Sequence, residues 1–99
     1  MKNQENSPEN QEKYKFILFT SGMAIKSLTA IENFKKIGDE HLKGNYELEI
    51  IDVNKQKHQA VNYQIVALPT LIKLEPQPKR VIIGDLSDTQ KVLQVLNLV

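Results

Sequence analysis

Two short runs of apolar, aromatic and β-branched residues, Tyr14–Phe19 (YKFILF) and Tyr46–Val53 (YELEIIDV), are separated by one stretch with helical periodicity. In that stretch Ile25, Leu28, Ile31, Phe34 and Ile37 recur at three-residue steps, with Lys26, Glu32, Lys35 and Lys36 between them. That spacing draws one apolar stripe along a helix. This strand–helix–strand unit constrains the fold more than any other feature of the chain. A single intervening helix returns the chain to its starting end, so the two strands run parallel with a right-handed crossover. Ser21-Gly22 breaks the first run, Gly38 weakens the helix end, and Gly44 is placed to close it in the left-handed conformation after Leu42-Lys43. The second strand is expected to be half-exposed where Tyr46, Leu48 and Ile50 alternate with Glu47 and Glu49, then buried at Ile51 and Val53.

Beyond Val53 the pattern changes. Asn54 to Tyr63 is polar, with Ala60 and Val61 as its main apolar members, and reads as a weak, short helix. Leu71, Ile72 and Leu74 form a third strand, Pro76-Gln77-Pro78 permits only a turn, and Val81–Ile83 form a fourth strand hairpinned on the third. Gly84-Asp85 ends it. The last segment opens with a capping signature, in which Ser87 caps and Gln90 answers three residues later, with Asp88 in the first turn. Val92, Leu93, Val95, Leu96 and Val99 supply its packing face. The predicted order is βαβ followed by ββα: an α/β domain with a four-stranded mixed sheet and three helices, the thioredoxin-like plan. Residues 14–99 make this one domain. Met1–Lys13 has no apolar residue after the initiator and is expected to be a disordered polar tail or a partner-contacting arm.

Leu68-Pro69-Thr70 stands just before the third strand. In the thioredoxin plan a cis-proline occupies this place, where the chain turns sharply beside the N-terminus of the first helix, and only proline adopts the cis bond at low cost. A trans proline at the start of an edge strand is the other reading.

The chemistry open to the chain is narrow. It has 99 residues, a formal charge of +1 and no cysteine. A charge near zero gives no dominant phosphate-binding surface, so nucleic acid is not an expected partner. The longest apolar runs are far below a membrane span, and no apolar signal core opens the sequence. Without cysteine there is no disulfide, thiolate nucleophile or cysteine-held metal, which fits a reducing cytoplasm. In thioredoxins a Cys-x-x-Cys pair sits at the turn into the first helix, where the helix N-terminus lowers the thiol pKa. Ser21–Ile25 occupies that place here. Ser21 has no histidine base in its local sequence and reads as a cap. His41 and His58 have no ligand company at metal-binding spacing, and the four glycines are too scattered to cradle a phosphate. Lys26, Lys35 and Lys36 read as a solvated helix face, or as a patch for an acidic partner. No catalytic residue, cofactor or metal is expected, and the chain reads as a non-enzyme.

Three strings carry a resemblance: Tyr46-Glu47-Leu48-Glu49-Ile50-Ile51-Asp52-Val53, Ala67-Leu68-Pro69-Thr70-Leu71, and Arg80-Val81-Ile82-Ile83-Gly84-Asp85-Leu86-Ser87-Asp88 followed by Lys91-Val92-Leu93. Over Tyr14–Leu98 the chain resembles the KaiB family of the cyanobacterial clock and related bacterial systems. The resemblance implies a thioredoxin-like protein without redox chemistry that binds the ring-shaped ATPase KaiC and regulates its activity or output, in a circadian rhythm or a stress response. It also implies KaiA-like or histidine-kinase partners, a homo-oligomer (dimer or tetramer) when unbound, and a fold-switching alternative state that rearranges the C-terminal half. Candidate partner contacts are Lys26, Gln64, Lys73 and Arg80, polar positions near that half.

The chain departs from the family pattern at several points. Gly22-Met23-Ala24-Ile25 replaces Gly-x-Thr-Pro, Leu68-Pro69-Thr70 replaces Thr-Pro-Thr, and Gln64 stands where clock members carry a lysine. Val95-Leu96-Asn97 replaces Gly-Leu-Asp in the last helix. Read as interior helix positions, Val95 and Asn97 favour the thioredoxin-like state, because glycine in a helix is poorer than alanine by about 1 kcal/mol and valine by less, although valine also suits a strand of the alternative state. Two other readings remain: a stand-alone KaiB-like sensor or adaptor domain of a two-component system, and a glutathione-dependent enzyme of thioredoxin ancestry. The first would be expected to carry a kinase or coiled-coil segment, the second a further helical domain.

Overall fold

A computed structural model describes residues 13–98. The elements are β1 (Tyr14–Thr20), α1 (Ile25–His41), β2 (Tyr46–Asp52), α2 (Lys57–Asn62), β3 (Thr70–Glu75), β4 (Arg80–Ile83) and α3 (Thr89–Val95). They form one four-stranded sheet in the order β2-β1-β3-β4. β1 and β2 are parallel, from Tyr14↔Tyr46 to Thr20↔Asp52. β3 runs antiparallel to β1 and β4 antiparallel to β3. This is the βαβ–ββα plan. Apart from Lys13, the expected polar tail lies outside the described residues, as does Val99.

Alternation along β1 builds two cores, because successive side chains in a strand point to opposite faces. Phe16 and Leu18 join Ala30, Phe34 and Ile37 of α1 and Val92, Leu93 and Leu96 around α3 in the larger core. Phe16, Phe34 and Tyr46 meet edge to face, with ring centroids 4.7 to 6.5 Å apart. Ile17 and Phe19 point the other way and meet Ile51 and Ile72, with Tyr63 and Ile65 packed alongside. α2 adds little to this second core, having six residues and none buried.

Several expectations about individual residues are corrected. The buried face of α1 is Ser27, Ala30, Phe34, Ile37 and Gly38, while Ile25 and Leu28 are exposed. The inward phase is set by Ser27, whose Oγ accepts the Ser21 amide at 3.0 Å and ties α1 to the end of β1. Gly38 lies buried within the helix near its end, and α1 continues to His41. Lys43 and Gly44 then take positive φ, and the Gly44 amide donates to the Gly38 carbonyl at 3.1 Å. Ile50 is exposed on the edge strand β2.

α3 is capped by Asp88, not Ser87: the Asp88 carboxylate accepts the Lys91 amide at 3.2 Å. Ser87 instead donates its amide to the Asp85 carboxylate. At the other end, Val95 is the last helical residue and Asn97 lies beyond it with φ 59°. The Asn97 amide reaches the Gln94 carbonyl at 3.1 Å and the Leu98 amide reaches that of Leu93 at 2.8 Å, a Schellman closure. Neither Val95 nor Asn97 is therefore an interior helix position. α2 ends the same way: Gln64 has φ 56°, and the Ile65 amide donates to Ala60 at 2.9 Å.

Candidate functional site

The turn from β1 into α1 is held by hydrogen bonds. The Gly22 amide donates to Asp52 at 3.2 Å, Asp52 also accepts the Asn54 amide at 2.9 Å, and the Ala24 amide donates to the Ser21 carbonyl at 3.0 Å. Gly22 has φ 53°, a backbone conformation that side chains resist. The Ser21 hydroxyl accepts from the Asn54 side chain at 3.5 Å. His41 is at the opposite end of α1, about 25 Å along a helix of this length, so it does not serve Ser21 as a base. Where a redox enzyme of this architecture holds its thiols, this turn presents Met23 and Ile25, 80% and 81% exposed.

The loop before β3 lies at the same end of the sheet, because Phe19 pairs with Thr70. The Leu68–Pro69 bond is cis. Pro69 is buried, its carbonyl accepts the Gly84 amide at 2.9 Å, and the Thr70 hydroxyl donates to the Ala67 carbonyl at 2.7 Å. This proline therefore joins the entry of β3 to the exit of β4.

Because α2 is short, the sheet face beside β4 is left open. A groove of about 320 Å³ is walled by Tyr63, Gln64, Ile65 and Val66 on one side and Lys79, Val81 and Ile83 on the other. Thr70 and Ile72 are its remaining lining residues. A second hollow of about 310 Å³ lies against Val53, Ala60 and Leu68, and Ile65 and Val66 form the ridge between the two. Val66 is 86% exposed, and Val81 and Ile83 are 53% and 55% exposed. Contiguous exposed apolar surface of this kind marks interaction sites. The left-handed Gln64 turns the chain out of α2 and sets the ridge.

The four residues singled out from sequence are not brought together as one patch. Gln64 is in the groove wall, whereas Arg80 begins β4 on the same face as Ile82, opposite the groove; both are exposed. Lys26 is exposed in the first turn of α1, where its charge helps hold the Asp85 carboxyl below its usual range, behind the larger effect of the Ser87 hydrogen bonds. Lys73 is corrected as a surface contact: it is 3% exposed, with its ammonium 5.9 Å from the centre of the Tyr14 ring. The sequence reading missed Val66, Val81 and Ile83. A visible signal was the polarity of Asn54–Tyr63, which predicts a helix too weak to cover a full sheet face. Among the described residues no group of three or more histidine, cysteine, aspartate or glutamate side chains is placed to hold a metal. No helix among them is long and apolar enough to cross a membrane.

An α/β fold of thioredoxin type, a thiol-free turn and an open apolar groove define a thioredoxin-like protein with surfaces suited to protein contacts. Residues 17–98 match the family model described as KaiB domain, and the chain belongs to the KaiB family. It is 46% identical over 81 residues to the circadian clock oscillator protein KaiB of Prochlorococcus marinus subsp. pastoris, covering 82% of this chain and 76% of the relative. It is 44% identical over 82 residues to the circadian clock protein KaiB3 of Synechocystis sp., covering 83% and 80%. Among solved structures, the N-terminal domain of Synechococcus elongatus SasA superposes with a TM-score of 0.71 at 24% identity, covering 96% of this chain and 94% of that one. Chloroplastic thioredoxin z superposes with a TM-score of 0.71 at 17% identity, covering 90% and 80%. At these identities the two structures speak for the fold alone.

Proposed function

We propose that this protein is a non-catalytic, cytoplasmic regulator that binds a KaiC-type ATPase and modulates its activity or output. The observation that carries the reading is the open apolar groove: Val66, Val81 and Ile83 are exposed on its walls, which α2 does not cover. Gln64 and Lys79 in its walls add polar contacts around an apolar centre, the usual arrangement of an interface. Family membership supplies the class of partner. The test is size-exclusion chromatography with the KaiC homologue of the same genome, in ATP and in ADP. Co-elution that is lost in Val66→Asp supports the reading. Absence of a complex in both nucleotides, or a complex that Val66→Asp leaves intact, defeats it. Val66 suits this purpose because its exposure makes the substitution cheap for folding.

The same reading extends to the resting state. The Schellman closure at Asn97 and the packing of Val95 and Leu98 against the larger core support a chain whose ordinary state is the thioredoxin-like one. A solution NMR spectrum dominated by a second fold would count decisively against this.

A further inference from the structure

The turn into α1 holds the only sulfur among the described residues, and we propose that this Met23 thioether is a reversible oxidation site for a hydroperoxide. The chain has no cysteine and two methionines, Met1 and Met23, so sulfur chemistry within residues 13–98 is confined to this position. The backbone around it is fixed on both sides. The Gly22 amide is held by Asp52, the Ala24 amide by the Ser21 carbonyl, and the Ser21 amide by the Ser27 hydroxyl. The Met23 side chain is nonetheless 80% exposed, and Ile25 beside it is 81% exposed. Leu28, one turn further along α1, is exposed as well. Core packing accounts for none of the three, and Ala24 gives the helix start no side-chain cap. The tip is thus apolar, set on a fixed backbone and open to reagents.

The thioether reacts without help from a base. With hydrogen peroxide as oxidant, the sulfur attacks one peroxide oxygen and the O–O bond breaks as the S–O bond forms. The other oxygen leaves as water carrying both protons. Sulfur loses two electrons and the peroxide gains them. The return step takes two electrons and two protons from the dithiol of a methionine sulfoxide reductase, which ends as a disulfide while the oxygen departs as water. Access governs the first step, and here the side chain stands mostly in solvent. Sulfoxide formation replaces a flexible apolar group by a polar one. Within a core that change disrupts packing. Met23 belongs to neither core, so the change stays at the surface. The turn that lacks thiols therefore carries a different sulfur group, one that takes up oxygen and forms no disulfide.

Treatment of the full chain with hydrogen peroxide is the test. Cleavage after lysine releases the peptide Phe16–Lys26, which separates Met23 from Met1. That peptide should gain one oxygen at a rate within about threefold of N-acetylmethionine amide under the same conditions, because susceptibility follows exposure. The oxidised chain should elute earlier from a hydrophobic-interaction column, with its urea midpoint unchanged. The two epimer-specific methionine sulfoxide reductases, supplied with a dithiol, should restore both mass and elution. Met23→Leu treated alike should take up no oxygen in this peptide and keep its elution. Met23→Gln should elute with the oxidised chain before any peroxide is added. A slower oxidation, an elution that oxidation leaves unchanged, or a urea midpoint that falls on oxidation overturns the proposal. Each readout uses the free chain, so failure here is separate from failure of the partner-binding reading.

Discussion

Gly38 lies directly against the ring of Tyr46: a Cβ built on Gly38 would stand 2.8 Å from Tyr46 Cζ and 3.0 Å from its Cδ2. The helix α1 approaches β2 this closely because residue 38 has no side chain, and the space is filled by a ring that also meets Phe16 and Phe34. Helix propensity alone favours Gly38→Ala by about 1 kcal/mol. Overpacking a tight contact costs about 1–3 kcal/mol, and Tyr46 is pinned by two other rings, so the clash outweighs the propensity. Gly38→Ala should lower stability in urea, whereas the same change in a Tyr46→Ala background should raise it. That change of sign is the measurement.

Tyr46 carries a pH signature. Burial, with a smaller contribution from Asp39, raises its phenol pKa. The stability it contributes is fully present below the unfolded phenol value of about 10 and is lost as pH rises through the higher folded value. Denaturation midpoints should therefore fall at alkaline pH, and Tyr46→Phe should flatten that fall.

The two acidic residues before α3 have separate duties. Asp88→Ala removes the cap and should cost about 1 kcal/mol. Ser87→Ala leaves that cap in place but removes a hydrogen-bonding group that holds the Asp85 pKa low. The lowered pKa stabilises the fold above the unfolded aspartate value, and the gain is lost as pH falls through the folded one. NMR titration of the Asp85 carboxyl should show its pKa rise towards the ordinary aspartate value in Ser87→Ala.

Left-handed closures respond to side-chain type. An L-residue in this conformation costs roughly 1–2 kcal/mol, least for asparagine and nothing of the kind for glycine. Gln64→Gly should raise the thermal midpoint, by roughly 0.5–1 kcal/mol once the looser unfolded chain is counted. Asn97→Val should lower stability by roughly 1–2 kcal/mol, and Asn97→Gly should be close to neutral. Calorimetry on the three variants orders them.

What was legible in the sequence followed from periodicity and from hard backbone constraints. The parallel β1–β2 pair, the hairpin at Pro76–Pro78, the place of Pro69 and the left-handed Gly44 all come from local rules. Three-dimensional competition decided the rest. Ile25 and Leu28 fit the apolar stripe of α1, but the bond from Ser21 to Ser27 rotates the first turn so that a serine faces inward. Ser87 satisfies the capping pattern, yet Asp88 one residue later takes the role because Ser87 is engaged by Asp85. Lys73 reads as a surface cation, but Phe16 and Arg80 flank it in the sheet, and its stem lies among the strands with the charge over Tyr14. The groove escaped notice because it arises from what α2 does not cover, and no residue string spells out a missing neighbour.

The unequal coverage of the sheet divides the chain into two regimes of change. On the side of α1 and α3, rings and aliphatic groups interlock, and most replacements there are felt as loss of the fold. On the side of α2, exposed positions such as Val66 and Gln64 can be rewritten while the strands beneath stay in register. Changes on that face alter its surface chemistry without loss of the fold. The architecture holds memory on one side and leaves the other open to revision.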